Sequence, residues 1–131
     1  MLSRTFLVIG LTLLPALCTS AVDGTTARTP VEQFAPLLRT ALGSSDGTAR
    51  GILTGRLAAA ISRQFQTSAP IHIDVSTIVR YRQQGCARLR VDVEQDGVRM
   101  NATAAPGLQQ LRFELNYCSD GLPPRSLETA R

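Results

Sequence analysis

The chain has no tryptophan and no lysine, and it contains a single histidine. All 14 basic residues are therefore arginine, while aromatic side chains make up only 5% of the 131 residues. The lack of lysine excludes a glycine-rich phosphate loop that ends in Lys-Ser or Lys-Thr. A GC-rich bacterial genome explains the bias most simply, because arginine has GC-rich codons and lysine has only AT-rich ones. Selection for the bidentate contacts that arginine makes to phosphate or carboxylate is the alternative.

Side chains suited to catalysis or metal binding are also scarce. The single histidine, His72, would share the polar face of a strand with Asp74, but no motif places a serine or cysteine nucleophile beside them. Asp92 and Glu94 share a strand face in the same way, and such alternating charges are ordinary on the solvated side of a sheet. Cys-x-x-Cys and His-Glu-x-x-His metal-binding spacings are missing. We therefore expect a protein that is not an enzyme, with no bound metal and no cofactor.

No apolar run is long enough to cross a bilayer comfortably. The longest covers residues 6–17 and is interrupted by Pro15, whereas a membrane-spanning helix needs about 20 apolar residues. Together with Arg4 before it, this run predicts a signal peptide over residues 1–21. A retained membrane helix is the alternative. We expect export to the periplasm and no stable membrane span after processing; secretion, or an outer-membrane lipoprotein attached through Cys18, remain the alternatives.

The three cysteines favour one disulfide. Cys18 would leave with the signal peptide, so Cys86 and Cys118 remain as an even pair in an oxidising compartment. Both occupy even-numbered positions in segments whose odd-numbered positions are apolar. Their side chains should therefore project from the polar face or from the strand ends, where they could pair.

The sequence after the signal peptide divides into a flexible leader (22–28), one domain (29–124) and a disordered tail (125–131). Thr29, Pro30 and Glu32 have the spacing of a helix N-cap with a capping box, which predicts a helix that runs to Leu42 and stops at Gly43. Apolar residues then recur at helical spacing on a second predicted helix. These residues are Ile52, Leu53, Leu57, Ile61 and Phe65, with the helix end near Gln66.

From Ile71 onward the apolar period changes to two, which predicts strands. We expect four: from Ile71 to Arg82, from Ala87 to Val93, from Val98 to Ala102 after an Asp96-Gly97 hairpin turn, and from Leu111 to Tyr117. The predicted fold is α+β, with two N-terminal helices packed on a curved four-stranded antiparallel sheet. This element order is similar to that of cystatin-like and NTF2-like folds.

The predicted strand order conflicts with the predicted disulfide. In a flat four-stranded meander, Cys86 begins the second strand while Cys118 ends the fourth, at the opposite edge of the sheet. Bonded sulfurs must lie about 2 Å apart. Either the sheet is strongly coiled, or the third strand is short and the last one doubles back, or the cysteines bond elsewhere.

The polar face of the predicted sheet should be rich in arginine, with Asp74, Asp92, Glu94 and Glu114 interleaved. Single-stranded nucleic acid needs aromatic stacking platforms, but Tyr81, Phe113 and Tyr117 have the apolar parity, so nucleic-acid binding is disfavoured. A protein-docking face, extended by the turn after Cys118, is favoured over polyanion binding and over plain solvation. The candidate binding residues are Arg80, Arg82, Arg88, Arg90, Arg99, Arg112, Asp120 and Pro123.

Two distinctive segments flank the cysteines, one from Gln84 to Leu89 and one from Asn116 to Pro124. Together they resemble small exported proteins encoded beside conjugative-element and type IV secretion genes in GC-rich proteobacteria, over the region from Gly51 to Pro124. This resemblance implies no catalytic residues. It implies an accessory or docking protein of an envelope assembly, with an envelope protein as partner and no indication of oligomeric state. A secreted inhibitor or polyanion-binding module that acts alone is the alternative.

Overall fold

The computed structural model describes residues 27–131, which form one sheet with two helices. The expected signal peptide, Cys18 and most of the leader lie outside the described residues. In chain order the elements are β1 (Thr29–Val31), α1 (Ala35–Gly43), β2 (Thr48–Leu53), α2 (Gly55–Gln64), β3 (Ile71–Arg80), β4 (Cys86–Val98) and β5 (Gly107–Cys118).

The sheet has five strands in the order β1-β2-β3-β4-β5. β1 pairs with β2 in parallel, and each later pair is antiparallel. The α+β class is confirmed, but the expectation of four strands, all antiparallel, was wrong. The helices do not form an N-terminal pair either, because a strand precedes each of them.

The predicted capping box lies in a strand rather than at a helix start. Thr29 to Val31 form β1, opposite Gly51 to Leu53 of β2. Pro30 disfavours helical backbone angles at Thr29, the residue before it. Pro30 also has no N–H to donate, which an edge strand tolerates. The helix α1 begins only at Ala35, with Pro36 in its first turn, and ends at Gly43 as expected.

The predicted start of the second helix lies in β2. Ile52 and Leu53 match a helical repeat, but Ala49, Gly51 and Leu53 also alternate inward at the period of a strand. This segment forms a strand because it can then pair with β1 on one side and β3 on the other. The helix α2 therefore starts at Gly55, with Thr54 in an extended conformation as its N-cap.

The predicted third strand does not exist. Val98 ends β4, while Met100 and Ala102 lie in the connection formed by residues 99–106. Asp96-Gly97 is not a hairpin turn: Gly97 has a φ of 66° inside β4, at a register shift between Gln95 and Val98. The chain reverses later, where the Asn101 side-chain carbonyl accepts backbone N–H bonds from Thr103 and Ala104.

Loss of the third strand removes the conflict with the disulfide. β4 and β5 are adjacent, and Cys86 lies directly opposite Cys118 with 4.0 Å between their Cα atoms. The Cys86–Cys118 disulfide is therefore confirmed. It joins the open end of a long hairpin whose turn is at the other end of β4.

The main core lies between α1 and one side of the sheet, which we call the inner face. Leu37, Leu38 and Ala41 of α1 pack there against alternate sheet residues. Leu89 and Val91 of β4 are fully buried on this face, while Arg88 and Arg90 project from the opposite, outer face. The expected alternation of β4 is thus observed.

A second, small cluster lies at the disulfide. The register of β3 and β4 shifts between Thr77 and Val79, so that Val79 is opposite Arg88 on the outer face. Tyr81 then packs against Cys86 and Cys118. The segment expected to be a disordered tail lies beside it: Arg82 N–H donates to the Glu128 carbonyl at 2.7 Å, and Ala130 N–H donates to the Arg80 carbonyl at 2.9 Å.

Candidate functional site

The outer face, where the arginine-rich docking surface was expected, is a ladder of ion pairs. The Arg28 guanidinium binds the Asp74 carboxylate through two bonds of 3.0 and 3.2 Å. Directly opposite residues on β4 and β5 also pair: Arg112 donates to Asp92, and Arg90 donates to Glu114 at 3.3 Å. The charges of this face are therefore largely matched locally, which leaves a weak net field for an anionic partner.

The structure brings together three of the six candidate arginines. Arg88, Arg90 and Arg112 lie on the outer face of β4 and β5. Arg80 instead points to the inner face, where it donates to the Leu42 carbonyl at 3.2 Å, because the bulge in β3 reverses the alternation of that strand. The other two lie in connections at opposite ends of the sheet. Arg82 pairs with Glu128, and Arg99 donates to the Ala104 carbonyl.

Asp120 and Pro123 lie in the exposed turn after β5. The Asp120 carboxylate accepts the Leu122 N–H at 2.9 Å, and Gly121 N–H donates to the Cys118 carbonyl at 2.9 Å. These bonds hold the turn in shape, while the Leu122 side chain remains exposed. The turn therefore presents the apolar side chains of Leu122 and Pro123 to solvent.

The carboxylates weighed for catalysis have other partners. Asp74 is held by Arg28 and also lies 3.7 Å from Arg50, and Glu94 accepts a bond from Gln110. An open pocket on the outer face is lined by Asp74, Asp92, Val93, Glu94, Gln110 and Arg112 but not by His72. Within residues 27–131, no three or more His, Cys, Asp or Glu side chains lie together as a metal site would require.

The feature that sequence reasoning missed is an apolar groove on the inner face. The apolar positions of β5 face inward, but the core covers only Leu115 and Tyr117 in part, so Leu111 is 60% exposed and Phe113 is 38% exposed. The groove has a volume of about 460 Å³. Its lining residues are Phe34, Leu53, Ile61, Phe65, Ile71, Val93, Gln95, Val98, Met100, Gln109, Gln110, Leu111 and Phe113.

Three elements form the walls of this groove. Phe34, just before α1, packs edge-on against Phe113 of β5 with 6.3 Å between the ring centroids. Ile61 of α2 and Phe65, just after it, also line the groove. The helix α2 has no buried residue, so its apolar side is only partly used by the fold. Met100 in the connection after β4 also lines the groove and is 60% exposed.

The lining of the groove carries no charged side chain. Its polar members are three glutamines, and Gln95 is already satisfied because its amide donates to the Ser62 hydroxyl and to the Ala69 carbonyl, both at 3.1 Å. A site of this composition favours apolar surface and gives an ion no fixed counter-charge. Because methionine adapts its shape easily, Met100 can adjust to different side chains.

The sequence carried part of this signal. Alternation correctly identifies Leu111 and Phe113 as one face of a strand, but it cannot show whether another element covers that face. The same holds for α2, because a helical repeat identifies an apolar side but does not show what covers it. Only the three-dimensional arrangement reveals that the two partly covered faces meet.

Comparison with protein-family models, with curated proteins and with solved structures gave no match for this chain. Neither helix of the described residues has the length and apolar character needed to cross a membrane. The groove and the outer face therefore have to be interpreted from their own chemistry.

Proposed function

We propose that this chain is a non-enzymatic docking protein of the cell envelope, and that its inner-face groove binds an amphipathic segment of a protein partner. The observation that supports the proposal is the open, uncharged groove between β5 and α2. Conjugation or type IV secretion machinery is the class of assembly that the sequence resemblance implies for the partner.

The shape of the groove favours a segment carried by a larger partner over a small molecule. Small-molecule sites bury about 70–90% of the ligand surface, which an open trough does not achieve. A helix or an extended segment with one apolar side can instead rest in the trough and leave its polar side in water. Exposed apolar surface bordered by polar residues is typical of such interaction sites.

The absence of charge in the lining argues against the polyanion-binding alternative at this site. Affinity for a polyanion comes from unpaired cations that release counterions. The arginines of the outer face are mostly engaged: Arg90 with Glu114, and Arg112 with Asp92. Within the described residues, Arg88 is the outer-face arginine of β4 and β5 that makes no ion pair.

The disulfide is compatible with a compartment outside the cytoplasm, because disulfides persist in oxidising environments. We propose the periplasm as that compartment. Fractionation of cells that express the full chain tests this directly, since the disulfide-bonded form should appear in the osmotic-shock fraction.

A displayed peptide library tests the docking proposal. We expect the purified domain to select peptides with apolar residues on one side, and Leu111→Glu to weaken the selected peptide by about tenfold or more, because it puts a charge into an apolar contact. Leu122→Glu is the matched control, since Leu122 is similarly exposed but lies outside the groove. The double variant Arg88→Glu/Arg90→Glu tests the outer face.

Two results would remove the groove from consideration. One is equal binding of the selected peptide by the wild type and by Leu111→Glu. The other is loss of binding only in Leu122→Glu or only in Arg88→Glu/Arg90→Glu, which would place the docking surface in the turn after β5 or on the outer face.

A further inference from the structure

The outer edge of β5 is a long strand edge without a partner among residues 27–131. β5 runs over 12 residues and is the last strand of the sheet. The edge is also apolar in part, since Leu108 is 51% exposed and Leu111 is 60% exposed. A long edge with exposed apolar side chains is a template for pairing with another chain.

The backbone groups that this edge presents follow from the pairing of β5 with β4. Cys86 and Cys118 are 4.0 Å apart at Cα, the spacing of a non-hydrogen-bonded pair, so the backbone of Cys118 points away from β4. The Ser119 N–H, one residue further, does bond to the β4 side, at 2.8 Å to the Gly85 carbonyl. The even-numbered residues of β5 therefore direct their N–H and C=O groups to the open edge.

Symmetry limits how two copies could pair through this edge. Antiparallel pairing of β5 with β5 of a second copy has a two-fold axis perpendicular to the sheet. Such an axis keeps the outer face of one copy continuous with the outer face of the other. Residues of the same parity must then lie opposite each other, so the even-numbered residues exchange the hydrogen bonds and the odd-numbered residues meet on the inner face.

Charge selects one register from those that symmetry allows. If the axis passes at Phe113, Arg112 lies opposite Glu114 of the second copy, and the reverse contact repeats it. If the axis passes at residue 112 instead, Arg112 lies opposite Arg112 of the second copy, and if it passes at residue 114, Glu114 lies opposite Glu114. Like charges directly opposite each other are destabilising. The strand is therefore self-complementary only in the register centred on Phe113.

This register also continues the ion-pair ladder of each copy. Within one chain, Asp92 lies opposite Arg112 and Arg90 lies opposite Glu114. Across the axis, the outer-face row would read Asp92, Arg112, then Glu114 and Arg90 of the second copy, with signs that alternate at every step. On the inner face, Phe113 would meet Phe113, and Leu111 would meet Leu115 of the second copy.

We propose that two copies of this chain pair through β5 in the register centred on Phe113, which forms a ten-stranded sheet and joins the two apolar grooves across the two-fold axis. This inference comes from the edge and its charges and does not depend on what the groove binds. The interface is a single strand pair, so we expect a reversible dimer rather than an obligate one.

A charge-swap mixture tests the proposal. Arg112→Glu places two Glu–Glu contacts in the homodimer, and Glu114→Arg places two Arg–Arg contacts there, so each variant alone should dimerise about tenfold to a hundredfold more weakly than the wild type. In a mixture of the two variants, both cross-axis contacts again join opposite charges, so the heterodimer should form. Arg88→Glu carries the same charge change as Arg112→Glu but lies one strand away from the axis, and it should dimerise as the wild type does.

Sedimentation equilibrium of the oxidised domain, from low concentration to about 0.1 mM, provides the measurement over a range where weak interfaces are observed. Far-ultraviolet circular dichroism checks that each variant is folded. The proposal is supported if the wild type and Arg88→Glu are dimeric, if Arg112→Glu and Glu114→Arg are each monomeric alone, and if their mixture is dimeric. A wild type that stays monomeric, variants that remain dimeric, or a folded mixture that fails to associate would each overturn it. None of these measurements involves the peptide that tests the groove.

Discussion

The double substitution Cys86→Ala/Cys118→Ala should destabilise the domain strongly. The bond links residues with a sequence separation of 32, and closure of a loop of that length removes entropy from the unfolded chain worth about 3 to 4 kcal/mol at 25 °C on the loop-entropy relation. The native structure should change little, because the two residues lie opposite each other in a continuous strand pair. Since small domains are stable by only about 5–15 kcal/mol, a large share of the total should be lost.

Urea unfolding of the oxidised wild type and of the double variant measures this loss. The denaturant slope provides a second readout, because an unfolded chain without the cross-link is more extended and exposes more surface, so the slope should rise in the variant. The reasoning would be refuted by a loss below about 1 kcal/mol together with an unchanged slope, since that result leaves no effect on the unfolded chain.

Two further predictions concern the packing of β2 on α1 and the turn that joins these two elements. Gly51→Ala should lower the free energy of unfolding in urea by about 1–3 kcal/mol, because the added methyl would lie 2.6 Å from Leu37 Cδ1 and 2.9 Å from the Thr29 carbonyl. Gly43→Ala is the control: its methyl would meet nothing within 4 Å, so it should be neutral or stabilising. Hydrogen bonds from the Thr48 backbone N–H and hydroxyl hold the pKa of the Asp46 carboxyl below its ordinary value. The charged form is thus favoured in the folded state, so the stability that wild type has over Asp46→Asn should be present at neutral pH and vanish as the pH falls below about 4; a gap that persists in acid would contradict this.

The sequence was most informative where one periodicity had no competitor. Along β3 and β4, the alternation of Ile71, Ile73, Leu89 and Val91 with polar residues predicts which side chains are buried, and the structure confirms it. Alternation is a local property that follows directly from the backbone geometry of a strand. The cysteine pair could be predicted for a similar reason, since only two cysteines remain after the expected cleavage.

Sequence reasoning failed where local signals had two readings. Thr29-Pro30 suits both a helix start and an edge strand, and pairing with β2, which is distant in the sequence, decides between them. Asp96-Gly97 suits both a hairpin and a bulge, and here Phe65 and Thr67 decide: Arg99 N–H donates to the Phe65 carbonyl at 3.0 Å, and the Thr67 hydroxyl donates to the Asp96 carbonyl at 2.8 Å. Such contacts extend β4 past the glycine and cannot be read from the local sequence.

The candidate site could be predicted only in part for the same reason. The arginines of β4 and β5 were placed on the correct face, but the expectation of a shared surface with Arg80 assumed unbroken alternation through β3. A single bulge changes the side to which every later residue points. The groove exists because the helices leave part of β5 uncovered, and no pattern within β5 itself carries that information.

The bulge in β3 has a mechanical consequence. The bulge at Ile78 reverses the side to which alternate side chains of β3 point. The residues before it therefore pack on the inner face, whereas Tyr81 after it packs in the cluster that contains the disulfide. Residues 128–130 attach to the chain beyond this point, so tension applied through them would enter the molecule at its covalently tied end. The groove, at the far end of β4, would be shielded from that load, and a tether or label joined there would leave it undisturbed.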